Sequence, residues 1–177
     1  MKSTKAASRY AKALLEIAIE QKMIDSILGD MNFLMQANNE SPDFGPFIAS
    51  PIINANKKIQ IFESVFDQFE DVSMSFIKLI TKNRRESILP EIAGSFEMLV
   101  KEHRGIVPIK LISATKLDET TKETILAKIE SSVKGQLEVA EEIDESLIGG
   151  FMVRMGDVQI DASVSSQFNN LKQRLTR

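Results

Sequence analysis

At 177 residues with a hydrophobic fraction of 43%, the chain carries enough apolar material for one large core or two small ones, which excludes disorder along its length. Its 22 basic and 25 acidic side chains are spread evenly, 13 against 14 in residues 1–105 and 9 against 11 in residues 106–177, so neither half has the basic excess of a general nucleic-acid binder. The absence of cysteine removes disulfides, thiolate metal sites and thiol nucleophiles together.

The first hundred residues carry helical periodicity. It starts near Thr4 with Ala6, Tyr10, Ala13, Leu14 and Ile17, and resumes with Ile24, Ile27, Leu28, Met31, Leu34 and Met35. Ser41-Pro42 predicts a cap and first-turn proline for a short third helix carrying Phe44, Phe47 and Ile48. That helix is expected to stop at Ser50, because Pro51 disfavours a helical residue before it. Asn54 caps a fourth helix with Ile59, Phe62 and Phe66 inward. Val72, Phe76, Leu79 and Ile80 mark a fifth, closing around residues 82–85. Ser87 is expected to cap a sixth, with Pro90 tolerated in its first turn and Ile92, Phe96, Leu99 and Val100 along one face. The expectation is a compact six-helix bundle over residues 1–105.

At Gly105 the period changes. Residues 106–114 are β-rich, and Pro108 points to an edge strand or a strand's beginning. Residues 118–134 return to helix, with Ile125, Ile129 and Val133 on one side. Residues 136–143 alternate as a half-solvated strand, and residues 151–155 and 158–162 read as a hairpin about Gly156-Asp157. A terminal helix is expected from about Ser163. The fold class is therefore mainly α: a helical bundle followed by a small α+β domain, residues 106–177.

Catalytic chemistry finds little support. The one histidine, His103, falls at the predicted end of the sixth helix, where it complements the helix C-terminus. No nucleophile elbow surrounds any serine. Gly149-Gly150 lacks the lysine of a phosphate loop and the further glycine of a dinucleotide site, and reads as a turn before a strand. Asp157, Gln159 and Asp161 alternate on one strand and could offer oxygen ligands to a hard cation, although polar hairpin ends are ordinary. Glu138, Glu141, Glu142, Asp144 and Glu145 form an acidic stretch that reads as a solvated face or as a match for a basic partner helix. No enzyme, cofactor or metal site is predicted.

The first and fifth helices depart from the surface-helix pattern. Apolar residues of the first run from Ala13 through Ala6, Ile17, Tyr10, Leu14, Ala18 and Ala11 to Leu15 and Ile19, an arc of roughly two-thirds of the circumference against the ~100° of a one-sided helix. The fifth does the same from Leu79 through Val72, Phe76 and Ile80 to Ile77 and Met74. Central burial is one reading; an apolar groove for a partner's amphipathic helix is the other. In the groove reading Ala6, Tyr10, Ala13, Leu14 and Ile17 face Val72, Phe76, Leu79 and Ile80 across the binding site. The opposite stripe of Ala11, Leu15 and Ile19 is the alternative wall.

Three segments carry a resemblance. Residues 8–14 (SRYAKAL) resemble the opening helix of the ATP synthase delta subunit family, which includes the mitochondrial oligomycin-sensitivity-conferring protein. Residues 76–92 (FIKLITKNRRESILPEI) resemble its fifth helix, polar turn and sixth-helix start. Residues 143–156 (IDESLIGGFMVRMG) and 157–163 (DVQIDAS) resemble its C-terminal signature, with Asp144, the pair Gly149-Gly150, Phe151, Arg154, Gly156 and Asp161 in the family's order.

The resemblance implies a non-catalytic stator subunit of a bacterial F-type ATP synthase. Its N-terminal domain would bind the N-terminal helix of an alpha subunit in the groove of the first and fifth helices. Its C-terminal domain would bind the b subunits of the peripheral stalk, so that ion flow through the complex drives ATP synthesis. The chain would be peripheral, on the cytoplasmic face of the membrane, and not a homo-oligomer. A generic helical adaptor for another amphipathic partner is the alternative. Helical periodicity from Thr4 without an Arg- and Ser-rich leader fits a bacterial or trimmed chain, and no run of about eighteen apolar residues predicts a membrane span.

Overall fold

The computed structural model describes residues 4–130, 133, 135–156, 158–166, 168 and 172. The chain divides into two compact units, Met1–Val100 and Lys101–Arg177. Helices dominate, and a small four-stranded sheet lies in the C-terminal part.

Six α-helices occur in order before the sheet: α1 Lys5–Glu20, α2 Ile24–Glu40, α3 Phe44–Ala49, α4 Ala55–Val65, α5 Asp71–Lys82 and α6 Leu89–His103. Local chemistry sets several of these ends. The Thr4 hydroxyl accepts the Ala7 amide at 3.2 Å and starts α1, and the Asn54 side chain accepts the Asn56 amide at 3.2 Å and starts α4. The ends of α1 and α5 are Schellman turns. Met23 N–H reaches Ala18 O while Lys22 N–H reaches Ile19 O; Arg85 N–H reaches Ile80 O while Arg84 N–H reaches Thr81 O. Lys22 (φ 58°) and Arg84 (φ 55°) hold the left-handed position that glycine usually fills.

Two predicted caps fall elsewhere. Ser41 ends α2, donating its N–H to Ala37 O, and α3 begins only at Phe44, so Pro42 lies in the connecting turn. Ser87 sits inside a 3-10 turn, Glu86–Ile88, that runs directly into α6 with Pro90 at its second residue. In both places a tight i to i+3 turn absorbs residues that resemble a cap in sequence.

One core joins these helices. Ala7, Ala11, Leu14, Ala18, Ile27, Leu34, Ile77, Ile80, Ile92 and Phe96 are fully enclosed. Burying each large side chain contributes about 1.5–3 kcal/mol. Aromatic rings fill the region around α3 and α4: Phe66 stacks on Phe69 at 4.6 Å and on Phe62 at 6.0 Å, and Phe47 meets Phe62 edge-on at 5.6 Å. Lys58, only 1% exposed, is an unexpected member of this interior. Its ammonium donates to Ile48 O at 2.7 Å and pairs with Glu86 at 2.5 Å, tying α4 to α3 and to the 3-10 turn.

In the second unit, β1 Ile106–Ser113, α7 Glu119–Glu130, β2 Gln136–Ile143, β3 Phe151–Met155 and β4 Val158–Asp161 form a sheet of order β2-β1-β3-β4. β1 and β2 are parallel, Ile106 opposite Gln136 through Ser113 opposite Ile143, with α7 as the crossover. The other pairs are antiparallel, Lys110 opposite Arg154 and Met155 opposite Val158. β1 is thus central and not an edge. Pro108 is accommodated because the β3 ladder starts only at Lys110, leaving residues 106–109 paired on the β2 side alone.

Ile109, Leu111, Ile125, Ile129 and Val153 form the core of this unit, with Val133 packed against it beyond the end of α7. Lys134 and Asp157, which the sequence placed at the end of that helix and in the hairpin turn, lie outside the described residues. Helical backbone at residues 164–166, 168 and 172 accords with a terminal helix; the intervening and final positions lie outside the described residues.

Candidate docking surfaces

The wide apolar arcs of α1 and α5 resolve into two faces each. On α1, Ala7, Ala11, Leu14 and Ala18 are fully buried and Leu15 is 9% exposed, so this side is the core. Ala13 and Ile17 are exposed, and Ala6 and Tyr10 are half-buried. On α5, Phe76 (7% exposed), Ile77 and Ile80 point inward, Leu79 is 52% exposed and Val72 is half-buried. Tyr10 and Phe76 meet edge-on at 6.5 Å, so the outer stripes of the two helices adjoin.

The outer surface is therefore made by Ala6, Tyr10, Ala13, Ile17, Val72 and Leu79, with Phe76 as its floor. Leu14 and Ile80, assigned to the groove from sequence, have no exposed surface and belong to the core behind it. They sit in the middle of each arc, where a helical wheel cannot separate floor from wall. The alternative stripe divides too: Ala11 and Leu15 are buried, and only Ile19 is exposed. The sequence reads Lys82, Arg84 and Arg85 as a basic cluster complementing a helix C-terminus and does not assign Arg85 to the groove; its guanidinium sits 5.8 Å from the Tyr10 ring centroid.

The C-terminal signature residues are spread along the β3–β4 hairpin and its flanks, where they hold the chain to itself. Asp161 accepts the Ser163 amide at 2.8 Å and the Ser166 hydroxyl at 2.6 Å, while Ser163 Oγ accepts the Ser166 amide at 3.3 Å, capping the turn at 164–166. These bonds lower the Asp161 pKa, the Ser166 hydroxyl first among them. Asp161 is thus committed as a cap and not as a cation ligand. Ser146 likewise donates through its hydroxyl, at 2.6 Å, and its amide, at 3.0 Å, to Asp144 and lowers its pKa. Among the described residues no group of three or more His, Cys, Asp or Glu side chains converges as a metal site.

Gly149 O accepts the Val164 amide, and Phe151 O accepts the Ala162 amide, so this strand start is laced to the segment after β4. Gly150 (φ +81°) lies between them, and a Cβ there would stand 2.5 Å from Ala162 O. Gly156 (φ +56°) enters the hairpin turn between β3 and β4. Arg154 is exposed and donates to Gln159 across that hairpin at 3.3 Å. The acidic strand β2 is partly neutralised within the unit, through Glu141 with Lys122 and Glu142 with Lys110.

The second unit also carries an apolar cleft of about 600 Å³ between α7 and the β3–β4 hairpin. Ile125, Ile129, Phe151, Val153, Val158 and Ile160 supply its apolar lining, with Thr120, Thr124 and Lys128 among the polar lining. Val158 and Ile160 are more than half exposed on the outer strand. Among the described residues, no helix is long and apolar enough to cross a membrane.

A family model described as ATP synthase delta (OSCP) subunit matches residues 6–175. An ATP synthase subunit delta of Cytophaga hutchinsonii is 32% identical over 177 residues, covering 99% of this chain and 97% of that protein. One from Carboxydothermus hydrogenoformans is 34% identical over 173 residues, covering 98% of each. In fold, the chain is similar to a chain of the Toxoplasma gondii mitochondrial ATP synthase hexamer, with a TM-score of 0.76 at 20% identity, 98% of this chain and 99% of that one being covered.

Proposed function

We propose, from the premise that this chain belongs to the ATP synthase delta (OSCP) subunit family, that its two units dock two different helical partners. As a member of that family it is a non-catalytic stator subunit of the ATP synthase peripheral stalk and associates with other subunits of the complex.

The finer reading is that residues 1–105 act as a six-helix module that receives the N-terminal amphipathic helix of an alpha subunit. The observation that carries it is the adjoining outer stripe of α1 and α5. Ala13, Ile17 and Leu79 are exposed beside the Tyr10–Phe76 contact, although the buried sides of both helices already complete a core. Small alanines at positions 6 and 13 let a helix backbone approach closely, and Tyr10 offers an aromatic anchor.

Residues 106–177 engage the b subunits, and the apolar cleft between α7 and the β3–β4 hairpin is the surface offered to them. The subunit works on the cytoplasmic side, peripheral to the membrane. Its mechanical task is to resist rotation of the catalytic head, which needs interfaces that stay closed under torque and no chemistry of its own.

Reconstitution tests this. ATP synthase assembled without this subunit, in sealed vesicles, should regain gradient-driven ATP synthesis on addition of the wild-type chain and not on addition of folded Ala13→Asp. Full recovery with Ala13→Asp would overturn the docking assignment.

A further inference from the structure

The outer stripe of α1 and α5 is electrically asymmetric along its length. Thr4 N–H reaches a Glu91 carboxylate oxygen at 3.4 Å, and Tyr10 contacts both Phe76 and Arg85, so the first half of α1 lies at the C-terminal end of α5. Arg9, Lys82, Arg84 and Arg85 are all exposed at that end. Glu16 and Glu20 lie six and ten residues beyond Tyr10, about 9 and 15 Å farther along α1. Asp71 lies five residues before Phe76, about 8 Å back along α5. These three carboxylates are exposed too. Among the described residues none of the seven forms an ion pair, and Arg85 is held only over the Tyr10 ring.

We infer that this charge asymmetry fixes the direction in which a helix docks: the partner presents its carboxylates to the Lys82–Arg85 end and its basic side chains, or none, to the Glu16–Glu20–Asp71 end. This rests on the docking reading above and adds the chemistry and the polarity of the occupant. The apolar stripe by itself cannot choose a direction, because Ala, Tyr and Leu contacts are nearly symmetric under reversal of a helix. Opposed charges at the two ends can, since a reversed helix would set like charges together. Arg85 is the specificity-determining residue of the set. The aromatic face holds its guanidinium beside the stripe, whereas Lys82 and Arg84 are on flexible stems at the rim.

Affinity measured on the full-length chain decides this, with a synthetic peptide of the alpha subunit's N-terminal segment as probe. Lys82→Gln, Arg84→Gln and Arg85→Gln combined should weaken binding about tenfold at about 50 mM salt, mostly through slower association, and less than about twofold at about 500 mM. Arg85→Lys should recover only part of the loss. Replacing the peptide's carboxylates by amides should produce the same loss on the wild-type chain and almost none on the triple variant. Glu16→Gln with Glu20→Gln should leave the carboxylate dependence intact. Melting temperatures of all variants should match wild type, because the altered groups are solvated. Binding that is tight but indifferent to the triple variant, or coupling of the peptide's carboxylates to Glu16 and Glu20 replacement instead, overturns the polarity and leaves the groove. Absence of binding to the wild-type chain overturns both.

Discussion

The Tyr10 and Phe76 rings meet edge to face with centroids 6.5 Å apart and planes at 76°. Tyr10 is half-buried on the outer stripe of α1, while Phe76 is 7% exposed, so the contact marks the line where core becomes surface. On either side of it a charge has opposite consequences.

Ala13→Asp should leave the melting temperature within a degree or two of wild type and abolish binding of the alpha N-terminal peptide, because the new carboxylate stays hydrated until a partner covers it. Leu15→Asp, two positions on, should unfold the N-terminal unit, since an unpaired carboxylate in the core costs several kcal/mol, on the order of the domain's stability. Circular dichroism melts paired with calorimetric titration separate these outcomes; an unfolded Ala13→Asp would place the core on the wrong side of α1.

Lys58 and Glu86 predict a second asymmetry. Removing one partner, as in Lys58→Met or Glu86→Leu alone, strands a buried charge and should cost about 3–5 kcal/mol. The double replacement should recover most of that loss, because two apolar side chains need no desolvated pair. Urea denaturation of the three variants is the measurement. Additive losses would show that the ion pair is not coupled.

The two signature glycines should differ in sensitivity. Gly150→Ala meets Ala162 O in a left-handed backbone and should cost more than the ~1–3 kcal/mol of backbone strain alone. Gly156→Ala has open space and should lose about 1–2 kcal/mol from its φ of +56°. Equal melting temperatures for the two would contradict the close approach of the chain at Gly150.

Asp118 supplies a pH signature. Its carboxylate accepts both hydroxyls of Thr120 and Thr121 and the Thr121 amide at the start of α7; the Thr120 hydroxyl acts most strongly, and together they bring its pKa from 3.8 to about 2. A folded-state pKa below the unfolded one adds stability above pH 3.8, and that stability is lost as the pH falls through about 2. The stability gap between wild type and Asp118→Asn should therefore be largest above pH 4 and close as the pH approaches 2. Denaturation midpoints across that window check it; a gap that widens towards low pH would contradict it.

Much of the architecture was written in periodicity and caps. Thr4, Asn54, the change of period at Gly105 and the exact span of β2 were legible because each depends on residues within a few positions. Ser41 and Ser87 misled, since a serine with a proline one to three residues on signals a cap whether or not a 3-10 turn intervenes. Sheet order was not legible: Pro108 suggests an edge or a strand's beginning, and it is the second that holds, because the short reach of β3 leaves the start of the central strand unpaired on that side.

The exposed apolar stripe of α1 and α5 was half legible. The wheel gave Ala6, Tyr10, Ala13 and Ile17 but could not exclude Leu14 and Ile80, whose burial depends on neighbours distant in sequence. Buried Lys58 left no signal, because its partners lie 10 and 28 residues away. The signature at residues 143–163 was legible as a pattern, whereas its use in capping and close packing required the folded chain.

The most direct test of the docking stripe is an NMR titration of isotope-labelled full-length chain with the alpha N-terminal peptide. The account predicts saturable shifts confined to Ala6, Tyr10, Ala13, Ile17, Val72, Leu79 and Arg85, with Ala11, Leu15 and the second unit unmoved. Shifts centred on the cleft beside α7, or none at any peptide concentration, would contradict it.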